Sequence, residues 1–227
     1  MRKQYGIFLF LFVLLIQLAG IYSGHSAVER ISKPLLIIVL LIYFTQATGG
    51  ISSALKKWIY LALFFSWVGD ILLLFVADNP AFFLAGLVSF LTAHVFYILF
   101  FHSVRLQQAV KPKPFLLIPV LLYYIVLMAF LAPHLGDMKL PVRIYGVVIC
   151  FMLMLALHML YIKDKRSGTL MMTGALLFVI SDTALAINKF YEPYIGAGII
   201  IMLTYGTAQL LITKGAIDYI QGESKVG

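Results

Sequence analysis

The sequence predicts an all-α protein, a single polytopic membrane domain (residues 1–227) built as a helical bundle of eight transmembrane helices with both termini cytoplasmic. Three observations lead there. Apolar residues make up 63% of the chain and charged ones 11%, with a mean hydropathy of +1.01, which leaves too little polar surface to clothe a water-soluble domain. Eight tracts approach the roughly 20 apolar residues a bilayer crossing needs: 5–22, 34–48, 58–76, 81–104, 114–132, 141–161, 169–188 and 194–213. The basic residues also segregate by loop. Twelve (Arg2, Lys3, Lys56, Lys57, Arg105, Lys111, Lys113, Lys163, Lys165, Arg166, Lys214, Lys225) fall on one set of connections and five (Arg30, Lys33, Lys139, Arg143, Lys189) on the other, the bias that marks the cytoplasmic side. The net charge of +8 is therefore a topology signal and not a nucleic-acid footprint.

The first tract follows Met1-Arg2-Lys3, a basic start that also suits a signal peptide. Gln17-Leu18-Ala19-Gly20 is a poor cleavage site, and removal would leave an odd number of spans, so it is read as a helix that stays. The second tract is the shortest, and the alternation of basic loops supports it. It opens on Ser32-Lys33-Pro34, a hydroxyl cap, a cation at the membrane surface and a first-turn proline. Lys33 can hold a lipid phosphate there or simply snorkel. The third tract contains Ser66-Trp67-Val68-Gly69-Asp70, and the seventh Phe178-Val179-Ile180-Ser181-Asp182. Ionisable groups in hydrocarbon are expensive unless paired. Counting residues puts each carboxyl about 9 Å short of the outer end of its helix, on a common level.

Helix four carries Gly86, Phe90, Ala93, His94 and Tyr97 near one stripe. Its small Gly86 and Ala93 admit a neighbouring backbone. His94 can act as acid, base or ligand, or merely glue the bundle. The fifth tract lies between Lys111-Pro112-Lys113-Pro114 and Ala132-Pro133 and holds no ionisable acid or base of note. The sixth contains the only cysteine, Cys150, so no intrachain disulfide is possible. Helix eight puts Tyr205 and Gln209 one turn apart, as pocket lining or as polar glue. Turn signals end the spans at Gly49-Gly50, Asp78-Asn79-Pro80, Ser167-Gly168 and Glu192-Pro193. No segment is long or polar enough for a second domain.

Two close carboxyls can hold one proton between them, leaving a donor beside an anion, as acid-catalysed cleavage of an ether or acetal requires. No HExxH, Walker loop, GxSxG elbow or dinucleotide fingerprint occurs. A zinc site would have to be assembled from Asp70, His94, Asp182 and one further ligand, so no metal or cofactor is expected.

Lys33-Pro34, Ser66 with Gly69-Asp70, Gly86 through Phe90 to Ala93-His94 and Tyr97, Gly174-Ala175 with Phe178 and Ser181-Asp182, and Tyr205 with Gln209 together resemble the YhhN family, the lysoplasmalogenase or transmembrane-86-like proteins. The resemblance implies a multi-pass cell-membrane hydrolase. Its substrate would be a lysophospholipid, the lysoplasmalogen, whose vinyl ether bond it would cleave to a fatty aldehyde and glycerophosphoethanolamine or glycerophosphocholine. On that basis Asp70 and Asp182 are the expected acid and base, in either order, with His94 orienting water or relaying a proton. Ser66, Tyr97, Ser181, Tyr205 and Gln209 are expected to line the pocket, and Lys33 to attract the phosphate. Two rival readings remain at this point: a small proton-coupled transporter or channel using the intramembrane acids, and a metal-dependent amide hydrolase of the ceramidase type.

Overall fold

A computed structural model describes residues 2–224, with side chains from residue 5 onward. Met1 and Lys225, and the side chains of Arg2 and Lys3, which the charge count used, lie outside the described residues. The described chain forms eight α-helices and no strand: α1 (Arg2–Ser23), α2 (Ser26–Thr48), α3 (Lys56–Leu74), α4 (Ala81–Gln107), α5 (Leu117–Leu131), α6 (Lys139–His158), α7 (Lys165–Ala186) and α8 (Ala197–Glu223). Short 3-10 turns flank α5 and α6, and one π turn, Ile187–Tyr191, continues α7. Seven of the eight helices are long and apolar enough to cross a membrane; α2, which carries Glu29, Arg30 and Lys33 in its first turns, is not among them.

Three boundaries depart furthest from the sequence expectation. Helix α2 begins at Ser26, eight residues before the apolar tract, so Pro34 lies inside the helix and Ser32 is not a cap. Ser32 instead donates to Gln17 Oε1 of α1 at 2.5 Å, a buried pair that fastens the first two helices. Ser167-Gly168, expected as a turn, sits in the first turn of α7. The Asp164 side chain caps that end through the Arg166 and Ser167 amides, and the backbone of Met159 lies so close to Gly168 that a Cβ would collide with it. Helix α8 runs ten residues past its apolar tract because its polar end is packed rather than solvated. There Gln221 donates to the Ala47 carbonyl, and Gln108 bonds Tyr219 and Glu223.

Close helix pairs are made by small residues, as membrane bundles require. A Cβ on Gly174 of α7 would stand 2.8 Å from the Ala208 carbonyl of α8, and one on Gly215 of α8 would stand 2.9 Å from the Ser167 carbonyl. Gly86 of α4 faces Leu73 and the Gly69 carbonyl of α3, the close approach expected of it. The core is aromatic, with Phe44, Tyr97, Phe100, Phe101 and Phe178 fully buried, while Ile118, Leu122 and Val126 of α5 stay on the outside, the pattern of an apolar face turned toward lipid.

Candidate active site

Six helices bring polar side chains to one end of the bundle. Asp70 and Asp182 each lie four residues before the end of α3 and α7, about 6 Å in. Lys33 lies about 10 Å into α2, Tyr145 about 9 Å into α6 and Tyr205 about 12 Å into α8. Helix α3 ends slightly sooner than expected, whereas helical backbone after Asp182 runs on through the π turn to Tyr191.

These residues and Ser181 line one cavity of about 100 Å³, walled by Leu73, Phe83, Leu87, Phe90, Val142, Phe190 and Met202. Asp70 is 1% exposed. Its Oδ2 accepts a hydrogen bond from the Tyr205 hydroxyl at 2.7 Å, and its Oδ1 lies 3.7 Å from Lys33 Nζ. Asp182 is 16% exposed and accepts from the Tyr145 hydroxyl at 2.6 Å. Among the described residues no hydrogen bond joins the two carboxyls, and the oxygen contacts they make are to other groups. Each is held by its own tyrosine on the wall of a common space.

His94 is fully buried and edge-on to the rings of Tyr145 and Phe178, with centroids 5.3 and 4.6 Å away. Its Nε2 stands 3.8 Å from Asp182 Oδ2, and among the described residues neither ring nitrogen has a hydrogen-bond partner. It backs Asp182 without lining the cavity. Lys33, expected at the surface beside a phosphate, instead reaches inward to Asp70. The early start of α2 makes this possible, because it sets Lys33 two turns deep.

Ser66, Tyr97 and Gln209 form a separate cluster. Tyr97 donates to Gln209 Oε1 at 2.5 Å, and Gln209 Nε2 donates to Ser66 Oγ at 2.9 Å, joining α4, α8 and α3 with all three side chains fully buried. None of the three lines the cavity, so their expected role as pocket lining is not what the geometry offers. Gln209 lies a turn deeper than Tyr205, and both ends of its amide are occupied by neighbouring helices. Ser181 does line the cavity, but its hydroxyl is engaged by the Ile201 carbonyl at 2.9 Å. No trio of His, Cys, Asp and Glu side chains able to hold a metal occurs among the described residues.

Tyr145 was missed by sequence reasoning. A tyrosine in the second turn of a span reads as an interfacial aromatic. The available signal was its spacing from Val142 and Ile149, which puts it on the buried stripe of α6, where a phenol needs a partner.

The YhhN family profile matches residues 28–216. The chain belongs to the YhhN family. The matched stretch begins ahead of Lys33 and ends after Gln209, so it contains every site residue described above. Among curated relatives, Lysoplasmalogenase TMEM86B of Homo sapiens is 35% identical over 185 residues, 81% of this chain and 72% of that protein. Lysoplasmalogenase TMEM86A of Bos taurus is 31% identical over 167 residues, 70% of this chain and 65% of that protein. A Lysoplasmalogenase of Mycobacterium bovis is 26% identical over 218 residues, 93% of this YhhN-family chain and 78% of its own length. No solved structure matches.

Proposed function

We propose that this protein is a lysoplasmalogenase, hydrolysing the vinyl ether bond of a lysophospholipid to a fatty aldehyde and a glycerophospho-headgroup. The observation that carries the reading is the convergence of two tyrosine-held carboxyls on one cavity, in a chain whose relatives share that name. Vinyl ether hydrolysis places a proton on the β-carbon and then a water oxygen on the oxocarbenium-like α-carbon. A carboxylic acid and a carboxylate facing one space supply both. Asp70 and Asp182 are the proposed catalytic pair. His94, packed behind Asp182, orients that carboxyl rather than touching substrate.

The cavity is well below the roughly 300–1,000 Å³ of a site that encloses a drug-sized ligand. It accommodates the reacting ether and a water. The alkenyl chain then has to lie outside it, and the groove between α4 and α6 formed by Leu84, Leu87, Val88, Leu91, Leu140 and Ile144 suits an acyl-type chain, with Leu87 shared between groove and cavity. The headgroup stays at the helix ends.

In this reading α2 also crosses the bilayer, giving eight spans with cytoplasmic termini in the cell membrane. The cavity then opens toward the outer leaflet, as the twelve-to-five distribution of basic residues supports. The test is purified protein in detergent with lysoplasmalogen, measuring aldehyde release. Wild type is expected to turn over, and Asp70→Asn and Asp182→Asn to lose at least about 100-fold. Full activity in both variants would remove the two carboxyls from the chemistry, and solute flux in liposomes without lysolipid turnover would replace the enzyme reading with the transporter.

A further inference from the structure

The two carboxyls do not have equivalent surroundings. Asp70 is nearly sealed from the exterior and has a fixed cation, Lys33 Nζ, at 3.7 Å from Oδ1, with Tyr205 donating to Oδ2 at 2.7 Å. An ammonium beside a buried carboxyl compensates its charge and favours the ionised form. Among the described residues Asp182 has no lysine or arginine within ion-pair distance. The groups that face it are the Tyr145 hydroxyl of α6, donating to Oδ2 at 2.6 Å, and His94 of α4, whose Nε2 is 3.8 Å from the same oxygen and outside hydrogen-bond reach. With Oδ2 occupied, Oδ1 is the oxygen left to carry a proton and present it to the cavity.

Resting on the lysoplasmalogenase reading, we propose that Lys33 and Tyr145 divide the carboxyls by role: Lys33 holds Asp70 as the base that takes a proton from water, and Tyr145 holds Asp182 as the acid that protonates the alkenyl β-carbon. The steps balance. The Asp182 proton bonds to the β-carbon using the C=C electron pair, leaving an oxocarbenium ion and the Asp182 carboxylate, which still accepts from Tyr145. Water adds to the α-carbon while Asp70 takes its proton, giving a neutral hemiacetal. The hemiacetal hydroxyl then returns a proton to Asp182 as the C–O bond breaks, and Asp70 gives its proton to the departing glycerol oxygen. Aldehyde and glycerophospho-alcohol leave, and both carboxyls are restored. Asp70 and Asp182 are the catalytic residues of this scheme; Lys33 and Tyr145 are positioning residues.

Azide separates the two roles, because it captures an oxocarbenium ion without needing a base. Purified variants are assayed for aldehyde in buffer and for the α-azido ether, by mass, in sodium azide. Asp70→Ala and Lys33→Met are expected to lose at least about 100-fold in water and to form the azido product in azide, while Lys33→Arg keeps most of its activity. Asp182→Asn and Tyr145→Phe are expected to lose activity with no azide product, since the cation never forms. The double variant Lys33→Met/Asp70→Asn, which removes both charges together, provides the same test should either single variant fail to fold. Azide product from Asp182→Asn, none from any Asp70 or Lys33 variant, or a Lys33→Met protein with raised KM and unchanged kcat would overturn the division. A wild-type protein that releases no aldehyde would overturn the enzymatic function itself, and the division with it.

Discussion

Replacing Gln209 with leucine tests whether the Ser66–Gln209–Tyr97 chain builds the bundle or the chemistry. Leucine has nearly the volume of glutamine, so packing survives while two hydrogen bonds go, at 2.5 and 2.9 Å, and two fully buried hydroxyls lose their partner. In a soluble core each such loss is worth about 1 kcal/mol net, with about 1–3 kcal/mol more for a stranded group. Interhelical bonds in membranes are weaker, averaging about 0.6 and reaching about 1.7 kcal/mol, because the unfolded reference also finds partners. The membrane scale governs here, so Gln209→Leu should destabilise by about 1–3 kcal/mol, a fall in midpoint on the order of 5 °C for a chain of this size. The assay is thermal unfolding in detergent beside lysoplasmalogen turnover per folded molecule, which should stay within about three-fold, since acid and base are untouched. Tyr97→Phe in the Gln209→Leu background should add less than it does alone, because its bond is already gone. A Gln209→Leu protein as stable as wild type but lacking turnover would show that this amide serves substrate or water, and the structural assignment would fall.

Gly174→Val should abolish accumulation of folded protein, because its Cβ would meet the Ala208 carbonyl at 2.8 Å and backbone there cannot give way; size-exclusion chromatography of solubilised membranes reads the loss. Leu87→Trp should crowd the wall that cavity and groove share, raising KM for a long-chain lysoplasmalogen by about ten-fold or more while a short-chain alkenyl analogue is affected little. Turnover after dialysis against EDTA should be unchanged, since Lys33 occupies the side of Asp70 where a cation would bind and, among the described residues, Asp182 is the one acid beside His94; a loss restored by zinc would favour a metal-dependent hydrolase.

What the sequence made legible depended on local arithmetic. Apolar length identifies the helices because a span must satisfy its own backbone, and placing Asp70 and Asp182 toward the same end of the bundle, where both line one cavity, needs only a constant rise per residue. What escaped was decided by partners on other helices. The helix preceding Pro34 extends through charged Glu29 and Arg30, so a hydropathy boundary misplaces Lys33 by two turns and turns an inward cation into a surface one. Tyr205 and Gln209 share a face and read alike, yet one turn of depth separates a wall of the cavity from a bond between α3 and α4. Tyr145 lies on a helix with no acid of its own, and its importance appears only once α7 is beside it. The acids are therefore recognisable alone, while their chemical difference is a property of the assembled bundle. Lys33 and Tyr145 arrive from α2 and α6, so a change that shifts either helix should alter one half of the reaction and spare the other.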